Sequence, residues 1–179
     1  YSFDLDQTGL DKSYKLMYET YEKIFTRLGL NYKIVLADTG AIGGSGSHQF
    51  MAISEVGESD IIYCDECGYA ADQEKAESVA EDTNSTDEEK TLNKVHTPKH
   101  KTIEEICKYL NITPKQVVKS LIYYNIANNS LVMVLVRGDR DVNEIKVINA
   151  LGIAEHELVL ASNEQISSIG SVEGFVGPV

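Results

Sequence analysis

A glycine-rich segment is the first part of this 179-residue sequence whose residue types suggest chemistry. Between Asp38 and His48 it has four glycines within seven positions, at 40, 43, 44 and 46. Glycines let a backbone approach a ligand closely and adopt positive φ. No Gly-Lys-Ser/Thr follows, and the segment leads into an expected strand, so it is neither a Walker loop nor a dinucleotide fingerprint. Asp38, Ser47 and His48 are therefore candidate contacts for a small polar ligand, with a surface hairpin loop as the alternative.

Lys119 is the second candidate, because it lies among apolar residues where an expected helix passes into a strand. Such a lysine either lines a pocket and binds an anion such as a backbone phosphate or extends its amine to the surface. Near the end of the sequence, Gly174 and Pro178 bound a Gly-x-x-x-Pro segment. From its residues alone this segment is a loop that follows a helix.

The cysteines give half of a metal site. Cys64 and Cys67 form a Cys-x-x-Cys-Gly knuckle, but a structural zinc needs four ligands, and the sequence has no second pair. We therefore predict no metal ligands and favour a free-thiol turn. Cys107 lies on an apolar helical stripe and is expected to be buried and inert. Three cysteines do not make a secreted disulfide framework, so we expect a cytoplasmic location.

The elements that position these residues alternate along the chain, which predicts a mixed α/β (α+β) fold. The first half is expected to contain helices over 11–28 and 70–80 and strands over 32–37, 50–56 and 60–64. The last two strands are expected to pair through Gly57 and Glu58. In the second half, cap residues and apolar periodicity predict helices from 102, 113, 143 and 162 and strands over 121–126, 131–136 and 157–161.

Charge and composition exclude some classes of protein. The formal net charge of -12 argues against a protein that grips nucleic acid by bulk charge. The sequence has no run of about 18 apolar residues, so it predicts no membrane span. Residues 81–94 have almost nothing apolar to bury and are expected to be a linker. The acidic beginning, which lacks Met, leads us to expect a chain cut from something longer.

Two stretches of the first half resemble bacterial-type prolyl-tRNA synthetases of class II. Tyr1-Ser2-Phe3-Asp4 is similar to the end of their motif 2, and 37–50 is similar to the segment that lines the proline and adenylate pocket. The resemblance implies that Ser47 and His48 lie near bound proline and that Asp38 lies close to the same cleft. Gln49 is also in this substrate-binding segment, where bacterial members usually have Glu.

Residues 95–179 resemble the inserted, YbaK-like editing domain of the same family, also found as free-standing trans-editing proteins. The matching pieces are 102–106, 118–121, 134–139, 143–146 and Gly174-x-x-x-Pro178. The resemblance implies that Lys119 is needed for hydrolysis of alanyl-tRNA and that the loop with Gly174 and Pro178 places the scissile ester. Ile103 and Ile106 would shape the pocket for a small amino acid. The family also uses a His further along, so we expect an incomplete editing site.

The resemblance implies three regions and two activities. Residues 1–80 would be part of a class II antiparallel-sheet catalytic domain, 81–95 an acidic linker, and 96–179 a C-terminally incomplete editing domain. The parent enzyme would use ATP and Mg²⁺ to activate proline, charge tRNA(Pro) and act as a homodimer in the cytoplasm, whereas the fragment would not aminoacylate. The inserted domain would hydrolyse mischarged Ala-tRNA(Pro).

A physical argument supports the need for editing. Alanine fits inside a proline pocket, and the missing ring carbons are discriminated by only about 1–3 kcal/mol. No catalytic triad is visible in 95–179, so hydrolysis would depend on a positioned water, loop amides and a tRNA hydroxyl, with Lys119 anchoring the terminal adenosine phosphate. The alternatives are a non-catalytic module that binds a small ligand or a tRNA end, and a zinc-knuckle adaptor built on Cys64 and Cys67.

Overall fold

The computed structural model describes residues 1–44, 46–79 and 91–178, except the side chain of Ala41. The chain divides into two compact units, Tyr1–Val79 and Ala80–Val179. Of the predicted linker, 81–90 lies outside the described residues, whereas 91–95 is exposed and has no regular structure. Within the described part of the chain, no helix has the length and apolar character needed to span a membrane.

The first unit begins with a long helix, α1 (Gln7–Arg27). The Asp6 side chain caps it by accepting the Gly9 N–H at 2.8 Å, which places the start four residues before the predicted 11. Gly29 follows the helix with φ +67, a conformation that glycine adopts without steric cost and that ends helices. The predicted end of this helix is confirmed.

Four strands form the sheet of the first unit: β1 (Tyr32–Ala37), β2 (Ser47–Ala52), β3 (Ile61–Tyr63) and β4 (Ala70–Asp72). Their order is β2-β1-β4-β3. β1 pairs antiparallel with β2 and parallel with β4, and β3 pairs antiparallel with β4. The core is built from small side chains on the central strands: Val35, Ala37 and Ala71 are at most 1% exposed.

Three predictions for the first unit are wrong in detail. The pairing of Ala37 with Ser47 starts β2 at 47 rather than 50, so two expected loop residues are in a strand. β2 and β3 do not form a hairpin, because β1 and β4 lie between them. The helix expected over 70–80 is strand β4 followed by a turn in which Asp72 accepts the Lys75 N–H at 2.7 Å. A side chain that bonds its own backbone in this way competes with helix formation.

The second unit contains α2 (Ile103–Leu110), β5 (Val118–Asn125), β6 (Ser130–Arg137), α3 (Glu144–Leu151), β7 (Leu158–Leu160) and α4 (Asn163–Ser168). Its sheet has the order β6-β5-β7, with both pairings antiparallel. Short 3-10 turns at Pro114–Gln116 and Glu155–Glu157 precede β5 and β7. The helix predicted from 113 is therefore only a three-residue 3-10 turn, because β5 begins at Val118. The mixed α/β class is confirmed.

Local capping explains why the helices of this unit begin where the sequence predicts. Thr102 and Ser162 form capping boxes, and the Asn143 side chain accepts the Lys146 N–H at 3.1 Å. Gly152 ends α3 with φ +65. The buried residues of the unit include Cys107, as predicted, and side chains from β5, α3 and α4: Ile122, Tyr123, Ile148 and Ile166. β5 begins three residues before the predicted 121, so Lys119 lies inside the strand.

Candidate functional site

The glycine loop is held by two carboxylates. The Asp38 side chain accepts the Gly40 N–H at 2.8 Å, and the Asp38 N–H donates to Asp72 Oδ2 at 3.3 Å. Asp72 is only 8% exposed and also fixes the turn after β4. Asp72 was not predicted as a functional or structural residue, because the sequence analysis placed it in a helix rather than at the end of strand β4. Asp38 therefore has a structural role in shaping the loop.

The structure separates the other candidates of this loop onto two faces of β2. Successive strand residues point to opposite sides of a sheet. His48 and Phe50 contact aromatic side chains of α1, so this face of β2 lies against the helix. Ser47 and Gln49 alternate with them and point to the other face. The structure thus brings His48 to α1 without Ser47 or Gln49 beside it.

An aromatic cavity of about 380 Å³ lies between α1 and β2. The Tyr14 hydroxyl and His48 Nδ1 are hydrogen-bonded at 2.8 Å, and the Tyr18 ring meets the His48 ring edge-on at a centroid distance of 5.4 Å. Tyr21 and Phe25 also line the cavity. Burial, and secondarily the charge of Glu22, raise the pKa of Tyr18.

The tyrosines of this cavity are functional candidates that the sequence analysis did not single out, since it predicted only a helix over 11–28. Their periodic spacing along α1 was visible in the sequence. Their opposition to His48 depends on how α1 packs against β2, which the spacing does not reveal. The arrangement holds an imidazole and three phenol groups around an apolar hollow, which suits a small ligand with an apolar body and a polar end.

Lys119 has a defined partner in the second unit. Its Nζ lies 2.8 Å from Asp141 Oδ1; the lysine side chain is 24% exposed and the aspartate side chain 100%. Tyr123, on the same face of β5, donates its hydroxyl to Glu144 at 3.0 Å. Both contacts run from β5 to α3 or the segment just before it, so Lys119 projects toward the start of α3. Most of the Lys119 side chain is covered, and its amine pairs with a fully exposed carboxylate.

A second ion pair lies beside this position, at the end of β6. Arg137 binds Asp139 through two contacts, Nε to Oδ1 at 2.6 Å and Nη2 to Oδ2 at 3.0 Å. The Arg137 guanidinium lowers the pKa of Asp139. Between the two residues, the Gly138 N–H donates to the Val117 carbonyl at 2.7 Å. This contact joins the end of β6 to the residue just before β5.

The remaining editing candidates occupy separate places on the second unit. Ile103 and Ile106 are half-buried residues of α2, and the hollow predicted between them and Lys119 stays a prediction. Gly174 has φ +82, which favours glycine at this reversal. Gly174 and Pro178 are both exposed. The segment is the predicted loop after a helix, since it follows α4.

Residues 1–44, 46–79 and 91–178 do not contain a complete set of metal ligands. No group of three or more His, Cys, Asp or Glu side chains in these ranges is placed to hold an ion. Cys64, Cys67 and Cys107 are free thiols.

Comparison with known proteins shows what the chain is similar to. Residues 97–179 match the model of the aminoacyl-tRNA editing domain. The whole chain is 53% identical over 180 residues to the proline–tRNA ligase of Caldicellulosiruptor saccharolyticus and 50% identical over 180 residues to that of Thermoanaerobacter sp. strain X514. Over its full length the chain is similar to proline–tRNA ligases, and its second half carries an aminoacyl-tRNA editing domain. It spans about a third of the length of these relatives, since the alignments cover 100% of the chain and 31% of each of them.

These similarities confirm the resemblance seen in the sequence. The editing-domain match contains Lys119, Ile103, Ile106, Gly174 and Pro178. The glycine loop and the aromatic cavity lie outside that match, in the part of the chain that only the full-length alignments cover.

Proposed function

We propose that this chain is part of a proline–tRNA ligase that activates proline with ATP, charges tRNA(Pro) and hydrolyses Ala-tRNA(Pro) in its editing domain. The observation that carries the proposal is the match of 97–179 to an aminoacyl-tRNA editing domain within a chain about half identical to proline–tRNA ligases. Proline discrimination supplies the reason for editing, because ring carbons absent from alanine change binding by only about 1–3 kcal/mol. We assign the binding of ATP and Mg²⁺ and the homodimer contacts to the rest of the enzyme. The enzyme would act in the cytoplasm.

Lys119 is the residue to which we assign substrate binding in the editing reaction. Its mostly covered side chain and paired amine place one positive charge at a fixed point beside the start of α3. The Asp141 carboxylate that holds the amine is fully exposed, and an ion pair of this kind contributes at most about 1 kcal/mol. A terminal adenosine phosphate of tRNA can therefore replace Asp141 at little cost. The exposed loop with Gly174 and Pro178 would offer backbone amides to the ester.

The pocket for the amino acid is assigned to the inner face of α2. Ile103 and Ile106 are branched, half-buried side chains that would leave room for a methyl group and exclude a five-membered ring. No Ser-His-Asp arrangement was found in this part of the sequence, so the attacking group is a positioned water or a hydroxyl of the tRNA end. Lys119 then acts by holding the substrate and stabilising charge.

The test is deacylation of Ala-tRNA(Pro) by the full-length enzyme carrying Lys119→Ala. Loss of one charge-assisted contact of about 1.5–3 kcal/mol predicts a deacylation rate roughly tenfold to hundredfold lower. Proline-dependent pyrophosphate exchange should be unchanged, because Lys119 lies in the other unit from the glycine loop.

Asp141→Asn is the matched control, since it removes the competing carboxylate and keeps the lysine. This variant should deacylate Ala-tRNA(Pro) at least as fast as the wild-type enzyme. Deacylation by Lys119→Ala at the wild-type rate would refute the assignment of Lys119. Tight binding of the tRNA end with no deacylation by the wild-type enzyme would favour the non-catalytic binding module.

For the synthetic reaction we assign proline binding to the His48 side of β2. His48, held by Tyr14, faces the aromatic cavity of about 380 Å³, whereas Ser47 and Gln49 point away from it. In the full-length enzyme, His48→Ala should raise the KM for proline severalfold in pyrophosphate exchange. An unchanged KM would place the proline site elsewhere.

A further inference from the structure

The segment between β3 and β4 is a tight turn that carries two thiols. The Cys64 N–H donates to the Tyr69 carbonyl at 2.8 Å, and the Gly68 N–H donates to the Cys64 carbonyl at 3.1 Å. Gly68 has φ +77, which lets the chain reverse without a side-chain clash. Cys64 and Cys67 are therefore held at positions i and i+3 of one turn, where Cα atoms lie less than about 7 Å apart.

Neighbouring groups of this turn affect the acidity of the Cys64 thiol. The backbone N–H groups of Cys67 and Glu66 bond to the Cys64 sulfur, as does the Cys67 thiol, and these bonds lower the pKa of Cys64. Cys64 is half-buried and Cys67 is exposed. The turn thus presents a stabilised thiolate next to a second, accessible thiol, which is the arrangement of reactive Cys-x-x-Cys motifs.

A zinc site fits this turn less well than thiol chemistry does. Structural zinc takes four ligands, and the part of the chain that the structure describes has no group of even three candidate ligands. A disulfide needs only the two sulfurs and Cα atoms about 4.4–6.8 Å apart, which a turn of this size provides.

Cys64 opens into a groove beside the turn. The groove has a volume of about 360 Å³, and Tyr18, Glu22 and Lys33 also line it. The Lys33 amine lies 4.5 Å from the centroid of the Tyr63 ring and 3.0 Å from Asp65 Oδ1, so its charge is already paired. The groove offers a concave surface for a small disulfide.

We propose that Cys64 and Cys67 are a reactive dithiol that exchanges with low-molecular-weight disulfides such as glutathione disulfide. The Cys64 thiolate attacks one sulfur of the disulfide, forms a mixed disulfide and releases one glutathione thiolate. The Cys67 thiolate, after giving its proton to water, attacks the Cys64 sulfur and releases the second glutathione. Two electrons pass to the disulfide, and the Cys64–Cys67 bond is formed; in a reducing compartment this state is transient. The proposal does not depend on the editing or synthetic activity.

The experiment treats the reduced 179-residue chain with glutathione disulfide and follows it by intact mass and peptide mapping. The wild-type chain should lose the mass of two hydrogen atoms and show a Cys64–Cys67 cross-link. Cys67→Ser should stop at a mixed disulfide on Cys64, and Cys64→Ser should form no internal disulfide. Cys107→Ser is the matched control, since that buried thiol lies outside the turn, and it should behave as the wild type.

A second measurement keeps the test independent of variant folding. In the wild-type chain, iodoacetamide should label Cys64 at lower pH than Cys67, with a labelling midpoint below that of an ordinary thiol. Accumulation of glutathione adducts without an internal cross-link would overturn the proposal. So would one bound zinc per wild-type chain that is lost in Cys64→Ser, because the thiols would then be metal ligands.

Discussion

Gly138 permits a close approach between the end of β6 and the turn before β5, and Gly138→Ala tests how much the second unit depends on it. A Cβ at this position would lie 2.6 Å from the Pro114 carbonyl oxygen, 3.1 Å from Val117 Cβ and 3.2 Å from the Val117 carbonyl oxygen. Ordinary contacts of a Cβ begin at 3.4 Å. Two of the three atoms are backbone and cannot rotate away, so the strands must separate.

The expected cost follows from this overlap. Forcing an extra methyl group into a packed region costs about 1–3 kcal/mol, and losing the 2.7 Å bond from the Gly138 N–H to Val117 costs about 1 kcal/mol more. The entropy that alanine removes from the unfolded chain offsets about 0.4–1 kcal/mol. We therefore expect a net loss of about 1–3 kcal/mol in the free energy of unfolding of the second unit. This corresponds to a fall in Tm of roughly 4–8 °C per kcal/mol for a unit of this size.

Urea unfolding combined with hydrogen exchange of the 118–125 peptides would measure the effect in the correct unit. Gly177→Ala is the matched control, because a Cβ at Gly177 has no atom within 4 Å, and it should change stability by less than about 0.5 kcal/mol. If Gly138→Ala were as stable as this control, with unchanged exchange in β5, the close approach would not constrain the fold. Reduced deacylation of Ala-tRNA(Pro) without lost stability would instead indicate displacement of the neighbouring Lys119.

The other predictions concern hydroxyl groups and the two faces of β2. Burial and the bond to Glu144 raise the pKa of Tyr123 to about 12, so its stabilisation is complete below the ordinary tyrosine pKa of about 10 and disappears as pH rises to about 12. At pH 8, urea unfolding should therefore show a free energy of unfolding for Tyr123→Phe that is lower than that of the wild type by at most about 2–3 kcal/mol. At about pH 12 the two free energies should be nearly equal. A difference that stays constant with pH would contradict this prediction. In the full-length enzyme, Tyr14→Phe removes the hydrogen bond to the His48 ring and should raise the KM for proline. A KM at the wild-type value would contradict this prediction. Gln49→Glu adds charge on the face of β2 opposite His48 and should leave that KM within about twofold, and a larger change would place Gln49 at the proline site.

The parts of the fold that were predictable from sequence are those fixed by neighbouring residues. The capping boxes at Thr102 and Ser162 act within one helical turn, and both lie where the sequence predicts a helix start. The turn at Asn129, which has φ +56, lies between the two strands predicted over 121–126 and 131–136. In these cases the residues that decide the conformation and the residues that adopt it are the same.

The errors arise where a distant strand decides the conformation. Ala70 and Ala71 favour a helix by intrinsic propensity, but Ala71 pairs with Leu36 of β1 and with Ile62 of β3. Because this pairing buries Ala71 completely, it outweighs the local preference. The same insertion of β4 separates β2 from β3, so both errors have one cause. A parallel contact between residues 36 and 71 leaves no signal in the sequence between them.

The alternation of side chains along a strand also limits which residues of the glycine-rich segment can contact the same ligand. Ser47, His48 and Gln49 are consecutive, and a loop would let all of them converge on one ligand. The register of β1 with β2 extends to Ser47, so the three residues are in a strand and consecutive side chains point to opposite faces. A ligand in the α1 cavity contacts His48 alone among them, while a ligand on the other face contacts Ser47 and Gln49. Since Asp38 uses its carboxylate to hold Gly40, the proline binding that we propose on the His48 side would draw its remaining polar contacts from α1, where Tyr14 and Tyr18 line the cavity.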